Sequence, residues 1–249
     1  MSPSQANPRS CRRARTKSSS LCQYVGVTRL DIKKLRLVLE EAADPGEIKA
    51  MAAYMKNEFA FLGLHSAELR RVSKPFLQAA DDVDGDDLIA FVHQCWLQPE
   101  REFRYVGANL TRKHVAKLDP SHLPDVEHFI VTDSWWDTVD SLAAWTVGPL
   151  VAANPELVTV MDQWIDDDNL WLNRTAILHQ LSYKEATDAE RLFRYCRQRA
   201  DHRDFFARKA IGWALRQYAR VDPDAVRRFL ADNDAVLSGL SKREALKHL

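Results

Sequence analysis

Long apolar runs, paired cysteines and the common nucleotide-binding motifs are all missing from this sequence of 249 residues. Without a run of about 18 apolar residues, no membrane-spanning helix is predicted. The four cysteines form no CxxC pair and the eight histidines form no HExxH motif, which argues against a zinc site and favours reduced thiols in a cytoplasmic protein. These cysteines are Cys11, Cys22, Cys95 and Cys196. A Walker motif, a GxGxxG loop and a nucleophile elbow are also absent.

Charge is balanced overall but distributed unevenly along the chain. Residues 1–29 contain six basic side chains and no acid, whereas residues 119–190 contain 14 acids against two bases. Residues 191–249 contain 14 bases against seven acids. The C-terminal part is therefore a candidate polyanion-binding region, while the acidic middle must turn most of its carboxylates away from any bound DNA.

Residues 1–28 are rich in serine and arginine and poor in apolar residues, so their composition predicts a disordered basic tail. They lack the continuous apolar core of a secretory signal. An organelle transit peptide and a DNA-contacting arm are the alternatives. The tail is expected to be dispensable for folding, and residues 29–249 are expected to form one repeat domain.

From residue 30 onward, apolar residues recur at spacings of three and four, without strand-like alternation. Ser134, Thr187 and Ser241 each precede an acid by three residues, which is the pattern of a capping box. The Asp84-Gly85 pair predicts the turn that begins a helix, and Asp222-Pro223 places proline where a first helical turn tolerates it. The pattern predicts about a dozen helices of roughly 10 to 18 residues, with a pair rhythm of roughly 35 to 40 residues. An all-α solenoid of HEAT-like or armadillo-like repeats is the preferred fold, and a compact helix bundle is the alternative.

The first segment that carries chemistry runs from Ser134 to Asp140. Trp136 and Asp140 are four residues apart on one predicted helix, so their side chains should lie one above the other. Asp137 is interpreted as a capping residue. The alternatives are that Trp136 is an ordinary core aromatic and that Asp140 is a solvated surface acid.

The second segment places Arg174 on the apolar stripe of Leu170, Ile177 and Leu178. A buried guanidinium is costly unless a carboxylate or a phosphate pairs with it. Arg174 is therefore a candidate phosphate ligand, and a structural Arg–Asp pair between helices is the alternative.

The third segment combines basic residues with an aromatic one. Lys209, Trp213, Arg216 and Arg220 fall on one predicted helix face, an arrangement suited to a nucleic-acid backbone. A solvated basic face around a core tryptophan is the alternative.

Together these segments resemble the AlkD-like DNA glycosylases of alkylation repair, in order, over about residues 30–249. Further matching segments are Tyr54-Met55-Lys56-Asn57, Phe61-Leu62-Gly63, Arg70-Arg71, Pro99-Glu100-Arg101-Glu102-Phe103 and Ser241 to His248. The resemblance implies a curved superhelical solenoid of HEAT-like repeats that holds DNA in its groove. It also implies hydrolysis of the N-glycosidic bond of N3- and N7-alkylated purines, such as 3-methyladenine and 7-methylguanine.

The resemblance assigns roles to single positions of this chain. The catalytic aspartate of the family falls on Asp140, and its active-site tryptophans fall on Trp136 and Trp213. Its DNA-contacting arginine falls on Arg174, and a groove tyrosine falls on Tyr54.

One position departs from the family pattern, because this chain has His65 where the family often has glutamine. The expected DNA contacts are Tyr54, His65, Lys209, Arg216 and Arg220. The expected partner is double-stranded DNA with alkylated purines, bound by a monomer that needs no metal or cofactor and associates with the nucleoid in the cytoplasm. The alternatives are a HEAT-like DNA-binding or scaffold protein without catalysis and a protein-binding helical repeat.

Overall fold

The computed structural model describes residues 30–248, so the predicted tail of residues 1–28 lies outside the described residues. The described chain contains no β-strand, and its one isolated β-bridge joins Ala60 to Glu100. Its α-helices are α1 (Ile32–Ala42), α2 (Ile48–Tyr54), α3 (Ser66–Ala79), α4 (Gly85–Trp96), α5 (Arg101–Lys113), α6 (Leu123–Val131), α7 (Trp136–Leu142), α8 (Gly148–Ala153), α9 (Val158–Trp164), α10 (Leu170–Leu178), α11 (Ala189–Gln198), α12 (Phe205–Tyr218), α13 (Pro223–Asp232) and α14 (Gly239–Ala245).

One layer of helices runs through the whole described chain. Helix α1 packs on α3, α3 on α5, α5 on α7, α7 on α10, α10 on α12 and α12 on α14. Other helices pack onto this layer; α4 contacts α1 and α5, α6 contacts α7 and α10, and α11 and α13 contact α12. Stacking of neighbouring helix pairs in chain order is the architecture of a helical repeat solenoid, and the predicted all-α repeat fold is confirmed.

The core follows the helix layer as one continuous cluster of buried apolar side chains. In α3, for example, Leu69, Val72 and Phe76 lie at spacings of three and four and are buried on one face. Cys95 and Cys196 are free thiols inside this cluster, and burial raises the pKa of both. The apolar periodicity of the sequence therefore marks the face by which each helix joins its neighbours.

Some helix starts lie where the sequence predicts them. The carboxylate of Asp84 accepts a hydrogen bond from the amide of Asp87 at 2.9 Å and caps α4. Asp222 caps α13 in the same way, ahead of Pro223 at the first helical position.

The three capping boxes predicted at Ser134, Thr187 and Ser241 are wrong. The hydroxyl of Ser134 donates to the carbonyl of Ile130, so it closes the preceding helix. The cap of α11 is the next residue, Asp188. In α14, Ser241 lies inside the helix, which begins two residues earlier at Gly239 and is capped by Ser238. Short polar side chains compete for nearby backbone groups, and the tertiary packing decides which of them caps.

The helices are also shorter than predicted, at 6 to 14 residues. The helix expected to continue past Trp145 is interrupted after Leu142 by a π-helical turn, Ala143–Val147. Gly148 follows, and a Cβ there would lie 2.2 Å from the carbonyl oxygen of His179. Close packing of α8 on the end of α10 thus requires glycine at position 148, and the apolar pattern does not reveal the π-helical turn before it.

Candidate active site

Asp140 of α7 and Arg174 of α10 form a two-point ion pair. Nε of Arg174 donates to Oδ1 of Asp140 at 2.6 Å, and Nη2 donates to Oδ2 at 2.8 Å. Nη1 of Arg174 donates to the carbonyl of Phe206 in α12 at 2.5 Å. Arg174 is only 4% exposed, and a guanidinium buried to this extent needs a carboxylate partner. That partner is Asp140, the predicted catalytic aspartate. This pair is the interhelical Arg–Asp alternative that the apolar stripe left open.

The carboxylate of Asp140 lies in a partly desolvated position, with 15% of its side chain exposed. Burial raises its pKa above the ordinary value, and the hydrogen bonds and charge of Arg174 act in the opposite direction. A carboxylate offers about four acceptor positions, of which Arg174 uses two. Asp140 can therefore face a cationic or hydrogen-bonding ligand while Arg174 holds it in place.

Asp137 does not cap α7, contrary to the prediction. Its oxygens accept from Nε and Nη2 of Arg101 at 3.1 and 2.5 Å, and from the hydroxyl of Tyr105 at 2.6 Å. Arg101 is fully buried, so this ion pair lies inside the protein. Helix α7 begins at Trp136 without a side-chain cap, and Asp137 anchors it to α5 instead.

Arg101 also fixes the turn that leads into α7. Its Nη1 donates to the carbonyl of Asp133 at 2.8 Å, and its guanidinium lies 3.9 Å from the ring centre of Phe59. Asp133 has a φ of +46°, a left-handed conformation that costs free energy for a residue with a side chain. The position of α7 is therefore set by Arg101, a residue that sequence reasoning used only for the resemblance.

The neighbouring residue, Glu102, fixes the loop before α3 in a similar way. Its Oε1 accepts hydrogen bonds from the amides of Leu62, Gly63 and Leu64 at 2.9 to 3.1 Å. Gly63 has a φ of +88°, and a Cβ there would lie 2.0 Å from the carbonyl oxygen of Asp44. No other residue type fits at this position, and the loop then delivers His65 to the start of α3.

Helices α2, α3, α5 and α7 enclose an open cleft of about 610 Å³, within the usual range for ligand sites. Tyr54, His65 and Trp136, three of the predicted site residues, line it together. The rings of Tyr54 and Trp136 meet edge to face with centres 6.1 Å apart, and Tyr54 is 69% exposed. Asp140 is not among the lining residues, and its carboxylate is paired with Arg174 of α10.

A cluster of aromatic rings joins α7, α10 and α12 beside the ion pair. Phe206 packs on Trp135 and Trp171 with ring centres 5.2 and 5.1 Å away. Trp213 follows Phe206 by seven residues, or two helical turns, and so lies on the same face of α12, partly buried. Sequence reasoning missed Phe206, whose carbonyl also binds Arg174; no charge or motif marks it.

The basic face predicted on α12 is partly neutralised by α14. Glu244 accepts from Lys209 at 2.8 Å and from Arg216 at 3.2 Å, and a third contact at 2.8 Å comes from Lys247. Lys209 and then Lys247 lower the pKa of Glu244 to about 2. Arg220 is exposed and lies beyond the end of α12, so the predicted face does not continue to it as helix.

Within residues 30–248, no group of three or more His, Cys, Asp or Glu side chains could hold a metal ion. No helix of that range is long and apolar enough to cross a membrane.

Comparison with known proteins points to one family. The sequence pattern of the DNA alkylation repair enzyme family matches residues 35–249. A solved structure described as a predicted DNA alkylation repair enzyme from Enterococcus faecalis superposes with a TM-score of 0.77 at 29% identity, over 83% of this chain and 96% of that one. The smu.31 protein of Streptococcus mutans UA159 shares the fold alone, with a TM-score of 0.57 at 18% identity over 73% and 97% of the two chains. No curated protein sequence matches.

Proposed function

The chain belongs to the family of DNA alkylation repair enzymes, and from that membership we propose that it is a monofunctional DNA glycosylase of base excision repair. Its substrates are N3- and N7-alkylated purines in double-stranded DNA, 3-methyladenine and 7-methylguanine among them. The observation that carries the proposal is the Asp140–Arg174 pair, which holds a partly desolvated carboxylate beside a cleft lined by aromatic and basic residues.

The chemistry of these lesions fits such a site. An N3- or N7-alkylated purine carries a positive charge, so the base leaves without a strong general acid. The remaining requirement is a fixed negative charge for a sugar with oxocarbenium character, and a positioned water. Asp140 supplies the charge and can orient the water, while Arg174 keeps the carboxylate from rotating away.

Trp136 and Trp213 are the aromatic partners in this proposal. Both are half-buried, Trp136 in the helix that carries Asp140 and Trp213 in the helix whose Phe206 carbonyl binds Arg174, and a cationic nucleotide is attracted to aromatic faces. Recognition then rests on the charge and lability of the lesion. The protein acts as a monomer on DNA, and it works in the cytoplasm in association with the nucleoid.

The test is the release of free 3-methyladenine and 7-methylguanine from a methylated duplex by the purified full chain. We expect time-dependent release of both bases, and on the order of 100-fold slower release by the Asp140→Asn variant. Binding of the duplex without any release of base would overturn the proposed glycosylase function and favour a DNA-binding protein without catalysis.

A further inference from the structure

A smaller groove lies between the start of α1 and the exposed side of α4. Six residues line it: Leu30, Val83, Asp87, Ala90, Phe91 and Gln94. Its volume is about 210 Å³, below the range of about 300 to 1,000 Å³ that is usual for small-molecule sites. These six residues and the residues that line the cleft are two separate sets. The groove therefore belongs to another surface, and its size suits a few side chains of a peptide segment.

The side of α4 that forms the groove is partly apolar and open to solvent. Ala90 and Gln94 are exposed, whereas Phe91 between them is only 2% exposed. One turn beyond Gln94 lies Leu97, and 81% of that leucine is exposed. An apolar segment laid along this side would remove both Ala90 and Leu97 from water.

The chain itself enters the described structure at this groove. Leu30 is the first described residue; it lines the groove and packs against the core. Residues 1–29 precede it, so the residues just before Leu30 are tethered beside the groove. Closing so short a loop costs little chain entropy, and the tether gives the segment a high effective concentration at the groove.

The apolar residues that precede Leu30 are concentrated next to it. Residues 1–20 contain no Leu, Ile, Val, Phe, Tyr or Trp, whereas residues 21–29 contain Leu21, Tyr24, Val25 and Val27. The part of the chain that could cover an apolar face is therefore the part attached beside one.

Charge is complementary as well. Residues 1–29 carry six bases and no acid, and residues 81–87, from the end of α3 to the first turn of α4, contain five aspartates. Lys113 pairs with Asp81 and His122 with Asp86. Within residues 30–248, no basic side chain pairs with Asp82 or Asp87. Asp87 lines the groove, so a base attached to the segment would find an acid there.

We propose that the groove between α1 and α4 is the docking site of this chain's own residues 21–29. The apolar side chains of Leu21–Val27 cover the exposed side of α4, and bases of the same segment and of residues 1–20 pair with Asp82 and Asp87. The groove is formed by residues 30–94 alone, so the segment docks on a surface that folds without it. Docking keeps this basic stretch on a surface other than the cleft, whether or not the protein is a glycosylase.

The test is disulfide trapping in the full chain. Cys22 is a native thiol of the segment, and Ala90→Cys places a second thiol in the groove; Cys11→Ser leaves Cys22 as the only thiol before Leu30. Cys95 and Cys196 are fully buried and do not compete. Lys34→Cys is the matched control, because Lys34 is exposed and four residues beyond Leu30 but does not line the groove.

Under mild oxidation, docking should raise the effective concentration of Cys22 at position 90, so the disulfide should form about 10-fold faster with Ala90→Cys than with Lys34→Cys. Rates are normalised to the reactivity of each introduced thiol toward a small disulfide. Adding Val25→Asp should bring the Ala90→Cys rate down to that of the control, because it buries a charge against an apolar face close to Asp87.

Equal normalised rates for the two positions would overturn the docking site, and so would a fast rate that Val25→Asp leaves unchanged. A disulfide that joins two chains, at a rate that rises with protein concentration, would assign the groove to the segment of a second copy and overturn docking within one chain. Loss of excision activity has no bearing on these outcomes, since trapping is measured without DNA.

Discussion

Arg174 reaches both carboxylate oxygens of Asp140 from a helix that begins 30 residues further along the chain, and it does so from an almost fully buried position. Three of its nitrogen atoms donate to protein acceptors: Nε and Nη2 to Asp140, and Nη1 to the carbonyl of Phe206. This geometry makes Arg174 a positioning residue for the carboxylate. Substitutions of Asp140 and of Arg174 are therefore expected to have different effects on excision and stability.

Asp140→Asn should slow single-turnover excision of 7-methylguanine by on the order of 100-fold, because the shape is kept and the charge is lost. The thermal midpoint should also fall, since Arg174 is left buried without a carboxylate. Rates are therefore measured well below the midpoint of the variant. Asp162→Asn is the control, as Asp162 is also paired with an arginine, and with Tyr195 besides, but lies on α9. Equal rates for Asp140→Asn and the parent would remove Asp140 from the mechanism.

Arg174→Lys keeps the positive charge but cannot hold both carboxylate oxygens. We expect a lower excision rate with the salt slope of DNA binding unchanged, because the guanidinium donors are occupied inside the protein. Titration of duplex binding at several salt concentrations measures the slope. Arg174→Gln, which also removes the charge, tests the alternative: a slope smaller by about 0.9 in that variant would show that Arg174 contacts a phosphate after all.

Asp137→Asn separates the anchoring role of Asp137 from the capping role. Asparagine caps helices well, so a cap would tolerate the change. Loss of the buried pair with Arg101 should instead cost about 3 kcal/mol of unfolding free energy. Urea unfolding should show a lower midpoint at an unchanged m-value. A midpoint equal to that of the parent would instead support a capping role for Asp137.

Glu244→Gln releases Lys209 and Arg216 from their shared acid. DNA binding should become tighter and more salt-dependent, while the thermal midpoint falls as α14 loosens. Because the pKa of Glu244 is about 2 in the fold against an ordinary 4.5, its stabilisation is complete above pH 4.5 and is lost as the pH falls toward 2. The difference in midpoint between parent and variant should shrink over that interval. A difference that stays constant would contradict the assignment.

The rate of excision should depend on pH through Asp140. In the proposed mechanism its ionised form is the active one, and burial raises its pKa above the ordinary 3.8. The rate of the parent should therefore fall on acidification at a higher pH than an unperturbed aspartate would give. A pH–rate profile under single-turnover conditions measures this. Spontaneous loss of the base at each pH is measured without enzyme and subtracted. A profile that stays flat down to pH 3.8 would contradict it.

Sequence alone was sufficient for the family and the all-α repeat fold. Apolar residues at spacings of three and four define one buried face per helix, and this pattern is local. The starts of α4 and α13 followed from an aspartate beside Gly85 or Pro223, where side chain and backbone of the same few residues decide the outcome. The resemblance also named Asp140, Trp136 and Arg174, whose roles remain predictions.

Only the tertiary structure decided which charges meet. Asp137 and Asp140 are alike in sequence, but one pairs with Arg101 of α5 and the other with Arg174 of α10. In the sequence the basic face of α12 has no evident acidic partner, but α14 places Glu244 against Lys209 and Arg216. These partners are 28 to 36 positions apart in the chain, and no local pattern records the stacking of one repeat on the next. Helix propensity is a property of neighbouring residues, whereas the electrostatics of a solenoid depend on which faces its repeats turn toward each other.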